Sequence, residues 1–149
     1  MIGLFIIAHA PLASALRAAS MHAYPDASAA IVAYDVPPGA QVDDYQHDAG
    51  HLLDTLGTAE TLVFTDVFGA TPCNIARQLA DRPGVRAVAG VSVPMLWRVL
   101  NYRDRPLDDL VAIAIAGAVQ GAIQVAANRP QNQAQKLPSH DAIDRHHQQ

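Results

Sequence analysis

Two short stretches of the chain hold residue types that could do chemistry together. The first is Ala8-His9-Ala10-Pro11, where an apolar run beginning at Ile2 ends in an imidazole. The second is Asp66-Val67-Phe68-Gly69-Ala70-Thr71-Pro72-Cys73-Asn74. An imidazole is a good nucleophile through one nitrogen when the other holds its proton against an acceptor. A carboxylate does this best, because it also stabilises the cation that develops. Asp66 paired with His9 would leave the far ring nitrogen bare and pointing outward. Gly69 and Ala70 are small enough for backbone N–H groups to approach a ligand, and Thr71-Pro72 opens a helix whose free N–H groups attract anions. A second helix is expected to start at Pro11, just past His9. His9 as nucleophile and Asp66 as its partner, with Ala10, Gly69, Ala70 and Thr71 around a phosphoryl group, form the candidate site. Phosphoryl transfer needs mainly positioning and charge stabilisation, so this small set could suffice.

The elements that must position these residues are legible in outline. Ile2 to Ala8 is short, apolar, β-branched in part and followed by proline, as expected of a strand buried on both faces. Pro11 suits the first turn of a helix with Leu12, Leu16 and Ala19 on one face. Ser28 to Tyr34 reads as strand two, broken by Val36-Pro37-Pro38-Gly39. Asp43 and Asp44 load the positive end of a helix whose buried stripe is Tyr45, Ala49, Leu52 and Leu56, and Gly57 ends it. Glu60 to Thr65 is strand three. Thr71 is the expected N-cap, with Pro72 at the first helical position, of a helix reaching about Asp81. Arg86 to Val93 is strand four, Met95 to Tyr102 a short helix, and Leu107 to about Gln120 a longer one. Ala122 to Ala126 fits either a helical continuation or a short strand.

Strands and helices thus alternate, which calls for an α/β fold: a doubly wound, mostly parallel sheet with helices on both faces. In the strand order 2-1-3-4-5, ligands bind beyond the carboxyl ends of the strands, between strands one and three. His9 follows strand one and Asp66 follows strand three, so the topology predicts that the two face each other across one crevice.

The bulk composition narrows the function. The 149 residues suffice for one domain, here 1–127, and residues 128–149 form a polar, Gln-rich tail expected to be flexible. Half of the residues are hydrophobic and 16% are charged, as in a folded globular protein. The net charge of −4 offers no general attraction to nucleic acid or anionic lipid. Lys136, in the tail, is the only lysine, which excludes a P-loop or a Schiff-base lysine in the core. Cys73 is the only cysteine, so neither an internal disulfide nor a cysteine zinc cage can form. A reducing, cytoplasmic location fits. No Lys or Arg precedes the first apolar run, which therefore reads as a strand and not a secretion signal. The other long run, Leu110 to Val119, has ten residues, about half of a ~20-residue membrane span, so no direct membrane insertion is expected.

His9 after an apolar first strand, the stretch Asp66 to Asn74, and Gly90-Val91-Ser92-Val93-Pro94-Met95-Leu96 together resemble the enzyme IIA domain of the mannose family of the bacterial phosphoenolpyruvate-dependent sugar phosphotransferase system. The resemblance covers roughly residues 1–127. It implies that His9 accepts a phosphoryl group from the phosphocarrier protein HPr and passes it to an enzyme IIB partner, and that Asp66 orients the imidazole. It implies the 2-1-3-4-5 sheet, no cofactor, no metal and a homodimer in which a last antiparallel strand, Ala122 to Ala126 here, is exchanged. Ala10 departs from the glycine that often follows the active histidine. Since the sequence ends after the tail, the IIB partner is expected to be a separate protein.

Three rivals compete. A receiver domain would phosphorylate Asp66 itself, but needs a magnesium-binding acidic pair after strand one and a core lysine. This chain has neither. His47-Asp48-Ala49-Gly50-His51 resembles the zinc motif H-E-x-x-H. However, on a helix both histidines fall opposite the buried stripe, and Asp is one methylene shorter than the usual Glu, so a solvated face is expected. A non-catalytic binding module is the default if His9 never carries phosphate. Gly117 and Gly121, spaced as G-x-x-x-G, suit close helix packing, within the chain or at a dimer contact. Cys73, His22, His140, His146 and His147 are read as outside any site.

Overall fold

The computed structural model describes residues 1–126; the polar tail and the domain boundary expected at 127/128 lie outside the described residues. In chain order the elements are β1 (Gly3–His9), α1 (Leu12–Ala23), a 3-10 turn (Pro25–Ala30), β2 (Ile31–Val36), α2 (Val42–Thr55), β3 (Thr61–Thr65), α3 (Thr71–Leu79), β4 (Val85–Ala89), α4 (Val93–Asn101) and α5 (Leu107–Gly121). Among the described residues the sheet has four strands, in the order β2-β1-β3-β4. All three pairings are parallel.

The alternation of side chains along each strand divides the interior into two cores. Leu4, Ile6 and Ala8 of β1, with Leu62 and Phe64 of β3, pack against Ala13 and Leu16 of α1, Leu96 and Leu100 of α4, and Leu110 of α5. Phe5, Ile7 and Val63 point the other way, onto Ala49 and Leu53 of α2 and Ile75 and Leu79 of α3. Being covered on both faces explains why β1 and β3 are apolar without alternation. Each fully buried side chain of this size contributes about 1.5–3 kcal/mol of transfer free energy, so the central strands are the rigid base of the loops above them.

Several boundaries and faces differ from the expectations. Ser28-Ala29-Ala30 lies in the 3-10 turn begun by Pro25, and β2 starts only where the β-branched pair Ile31-Val32 begins. The buried face of α1 is Ala13, Leu16 and Ser20, not Leu12, Leu16 and Ala19. Pro11 is the cap and not the first helical residue, and a shift of one residue rotates a helix by about 100°. Ser20 tolerates burial because its hydroxyl donates to the Leu16 carbonyl at 2.9 Å. On α2 the most buried residues are Ala49, Gly50 and Leu53, while Tyr45, Leu52 and Leu56 pack at the margin.

β4 stops at Ala89, because the N–H groups of Gly90 and Val91 turn to the carbonyls of Asp66 (2.9 Å) and Thr65 (3.0 Å). The next helix therefore starts early, at Val93, with the Ser92 hydroxyl accepting from Met95 N–H at 3.3 Å. The Gly117/Gly121 spacing serves packing within the chain. A Cβ on Gly121 would lie 2.4 Å from Cβ of Pro94, and one on Gly117 3.2 Å from the Arg98 side chain. Residues 122–126 belong to neither helix nor strand in this chain. No helix among the described residues is long and apolar enough to cross a membrane.

Candidate functional site

β1 lies between β2 and β3, so the chain leaves β1 toward one side for β2 and returns across it for β3. The carboxyl ends of β1 and β3 lie side by side at this reversal, the position where ligands bind in doubly wound sheets. His9 is the last residue of β1, and Asp66 is the first after β3. Register puts Ile7 beside Thr65, so that His9, two residues further on, and Asp66, one residue further on, both lie at the carboxyl edge of the sheet.

They are in direct contact. His9 Nδ1 lies 2.7 Å from Asp66 Oδ2, and the His9 backbone N–H donates to the same oxygen at 3.0 Å. The other carboxylate oxygen, Oδ1, accepts from the Val67 N–H at 2.9 Å. An ionised carboxylate only accepts, so the ring proton sits on Nδ1 and Nε2 is left with a lone pair. Nε2 has no hydrogen-bond partner among the described residues. The His9 side chain is 49% exposed and that of Asp66 10%. Burial pushes the Asp66 carboxyl up, but the backbone N–H of His9, its ring and the Val67 N–H together outweigh it and hold the group below the usual carboxylate value. The backbone of Asp66 is fixed as well, its carbonyl accepting from Gly90 N–H.

The predicted anion-binding groups are arranged less simply. The Ala10 N–H donates to the Val36 carbonyl at 2.9 Å and the Ala70 N–H to the Val67 carbonyl at 3.2 Å, so both are already engaged. Ala70, not Thr71, caps α3: its carbonyl takes the first helical bond, from Asn74 N–H at 3.0 Å. Thr71 is therefore the first helical residue, and its N–H, followed by the donor-free Pro72, belongs to the unpaired end of the helix. At α1, the Ser14 N–H is taken by Asp35 Oδ1 at 3.0 Å. This contact of Asp35, which lies in β2 beside Ala8, is one that sequence reasoning missed, since only the sheet brings it to α1.

Sequence reasoning also passed over Val67 and Phe68, which are 58% and 87% exposed directly after Asp66. Two large apolar residues in a loop of this kind are the signal that could have found them. A groove of 350 Å³ runs beside this loop along β4, lined by Phe68, Cys73, Arg77 and Arg86 among others. It does not include His9, whose ring stands on the open surface. Cys73 is a free thiol in this groove wall.

The class so defined is a doubly wound α/β protein that presents an imidazole, backed by a carboxylate, at the switch point of its sheet. Comparison with known sequences gives the family: residues 3–115 match the family model EIIA-man, described as "PTS system fructose IIA component", and the chain belongs to this family. It is 30% identical over 109 residues to the PTS system mannose-specific EIIAB component of Escherichia coli (strain K12), covering 70% of this chain and 33% of that protein. The chain thus spans about a third of the length of the curated relatives it matches. Among solved structures, the mannose/sorbose specific IIA subunit of the phosphotransferase system from Enterococcus faecalis superposes with a TM-score of 0.76 at 24% identity, over 87% of this chain and 98% of that one. The phosphotransferase system component EIIA from Streptococcus agalactiae gives 0.72 at 22% identity, over 83% and 97%. These two likenesses speak for the fold.

Proposed function

We propose that the protein is a phosphoryl carrier of the sugar phosphotransferase system, with His9 Nε2 as the atom that is phosphorylated. The observation that carries this reading is the 2.7 Å contact between His9 Nδ1 and Asp66 Oδ2, which leaves Nε2 bare and exposed. In the first half-reaction the Nε2 lone pair attacks the phosphorus held by phospho-HPr. The N–P bond on His9 forms as the donor's bond to phosphorus breaks, and the donor keeps that electron pair. The Nδ1 proton remains in the hydrogen bond to Asp66, whose charge offsets the positive charge growing on the ring. The second half-reaction runs the same way toward an enzyme IIB partner.

The loop after Asp66 supports the reading. The Thr71 N–H and hydroxyl, with Gly69 beside them, are the groups best suited to meet phosphoryl oxygens at the start of α3. Using Ala10 or Ala70 as donors would require their present hydrogen bonds to open. Val67 and Phe68, exposed in the loop directly after Asp66, offer an apolar surface that a partner can cover, excluding water from the transfer. The receiver alternative is disfavoured, because both oxygens of Asp66 are already occupied by His9 and Val67.

A homodimer is part of the proposal. Among the described residues β4 is an edge strand, and the stretch 122–126 carries Ile123 and Val125 exposed at 62% and 99%. An alternating segment of this kind suits pairing with the β4 edge of a second copy. The setting is cytoplasmic, in sugar uptake or its regulation. The test is phosphoryl transfer from phosphoenolpyruvate through enzyme I and HPr: an acid-labile, alkali-stable label that disappears in His9→Ala supports the proposal, and a label that persists there refutes it.

A further inference from the structure

The solvent face of α2 holds a second pair of imidazoles, independent of His9. His47 and His51 are both exposed, as the helical projection predicts. However, their rings do not simply point into water. The two Nε2 atoms approach to 3.0 Å, and the rings meet edge to face with centroids 4.4 Å apart and planes at 88°. They sit on the rim of an open pocket of 320 Å³ lined by Gln46, His47, Gly50, His51, Asp54 and Arg82.

We propose that His47 and His51 form a two-imidazole surface site for a late first-row divalent ion, of the Ni²⁺, Cu²⁺ or Zn²⁺ class, bound through the two Nε2 atoms. The helix sets the geometry, since residues four apart stand one above the other on the same face. Two nitrogens about 2.1 Å from a common ion and at right angles to each other are about 3.0 Å apart, the edge of a square-planar or octahedral site. The present Nε2–Nε2 spacing is therefore that of cis ligation. As the rings stand, one Nε2–H donates to the other Nε2; on binding, that proton moves through solvent to Nδ1 of the same ring, so that both neutral imidazoles offer an Nε2 lone pair to the ion. Imidazole ligands favour these metals over Mg²⁺ or Ca²⁺, which take oxygen donors.

The surroundings allow a cation. The Arg82 guanidinium lies across Gly50, where a Cβ would approach its Nη2 to 2.7 Å. Its charge is held by Asp54 at 2.8 Å. Among the described residues no group of three or more His, Cys, Asp or Glu side chains is arranged to hold a metal. Water completes the coordination, so the site is a binding site of modest affinity and not a buried structural centre.

The tail residues His140, His146 and His147 could bind the same ions, so the test uses the full chain with these three replaced by alanine. Calorimetric titration with Ni²⁺ is expected to show saturable one-to-one binding. His51→Ala or His47→Ala should weaken it about tenfold or more, with an unchanged circular dichroism spectrum. Substoichiometric Cu²⁺ should broaden amide resonances around residues 43–55 first. An affinity that neither substitution changes, or broadening centred near His9 or the amino terminus instead, overturns the proposal.

Discussion

Asp66 Oδ2 accepts two hydrogen bonds from a single residue: the ring Nδ1 of His9 at 2.7 Å and the His9 backbone N–H at 3.0 Å. One oxygen therefore fixes both where the chain leaves β1 and how the imidazole is turned. The exposed edge of the ring is set by the same contact that anchors its backbone.

Replacing Asp66 with Asn separates these two roles. The amide oxygen can still accept the His9 N–H, but the negative charge is lost, and with it the preference for a proton on Nδ1. Phosphoryl transfer to His9 is expected to slow by roughly 10²- to 10⁴-fold, the range for losing the carboxylate behind a reactive imidazole. Circular dichroism should be unchanged. Stopped transfer with a collapsed spectrum would mean that Asp66 matters for folding instead.

The lowered pKa of Asp66 in the folded state also predicts a stability profile. A carboxyl whose folded value lies below its unfolded value of about 3.9 stabilises the fold above that pH. The stabilisation is lost as pH falls through the folded value. Urea unfolding of the wild type and of Asp66→Asn between pH 7 and pH 3 should show the wild-type advantage constant above about pH 5 and shrinking below about pH 4. An advantage that grows on acidification would contradict the hydrogen-bonded carboxylate.

Phe68 is expected to matter for encounter and not for folding. At 87% exposure it contributes little to the core. Phe68→Ser should leave the melting temperature within about 2 °C of the wild type. It should raise the KM for phospho-HPr several-fold while labelling at saturating donor survives. Unchanged kinetics would remove Phe68 from the proposed docking margin.

Much of this site could be read from the sequence because it rests on strand ends. His9 and Asp66 each follow a recognisable apolar strand, and the order of strands brings such positions together whatever the detailed packing. The features that were not legible depend on contacts between distant segments. That Ala10 N–H is spent on Val36, or that Asp35 reaches Ser14, follows from sheet pairing and leaves no local pattern. The face of α1 was misjudged because alanine, serine and leucine alternate there with little contrast, so a one-residue shift at Pro11 chose the stripe. On α2 the exposed face of His47 and His51 was legible from periodicity, but the approach of their rings was not, since it depends on rotamers.

One backbone position tests the fold independently of the site. Gly84, just before β4, has φ +75°, and a Cβ there would lie 2.4 Å from the Ala59 carbonyl oxygen. Gly39 has the same φ with nothing within 4 Å of such a Cβ. Gly39→Ala should therefore cost about 1–2 kcal/mol from backbone conformation alone. Gly84→Ala should cost about 1–3 kcal/mol more from the overlap. Equal losses in denaturant titrations would show that the close approach at Gly84 is not maintained.

The central claim concerns one atom, and nitrogen-15 NMR of the phosphorylated, histidine-labelled protein reads that atom directly. The expected spectrum shows phosphorus coupling at Nε2 of His9, with its Nδ1 still carrying the proton shared with Asp66. Coupling at Nδ1, a phosphoryl group on Asp66, or no phosphorylation of His9 by phospho-HPr would contradict it.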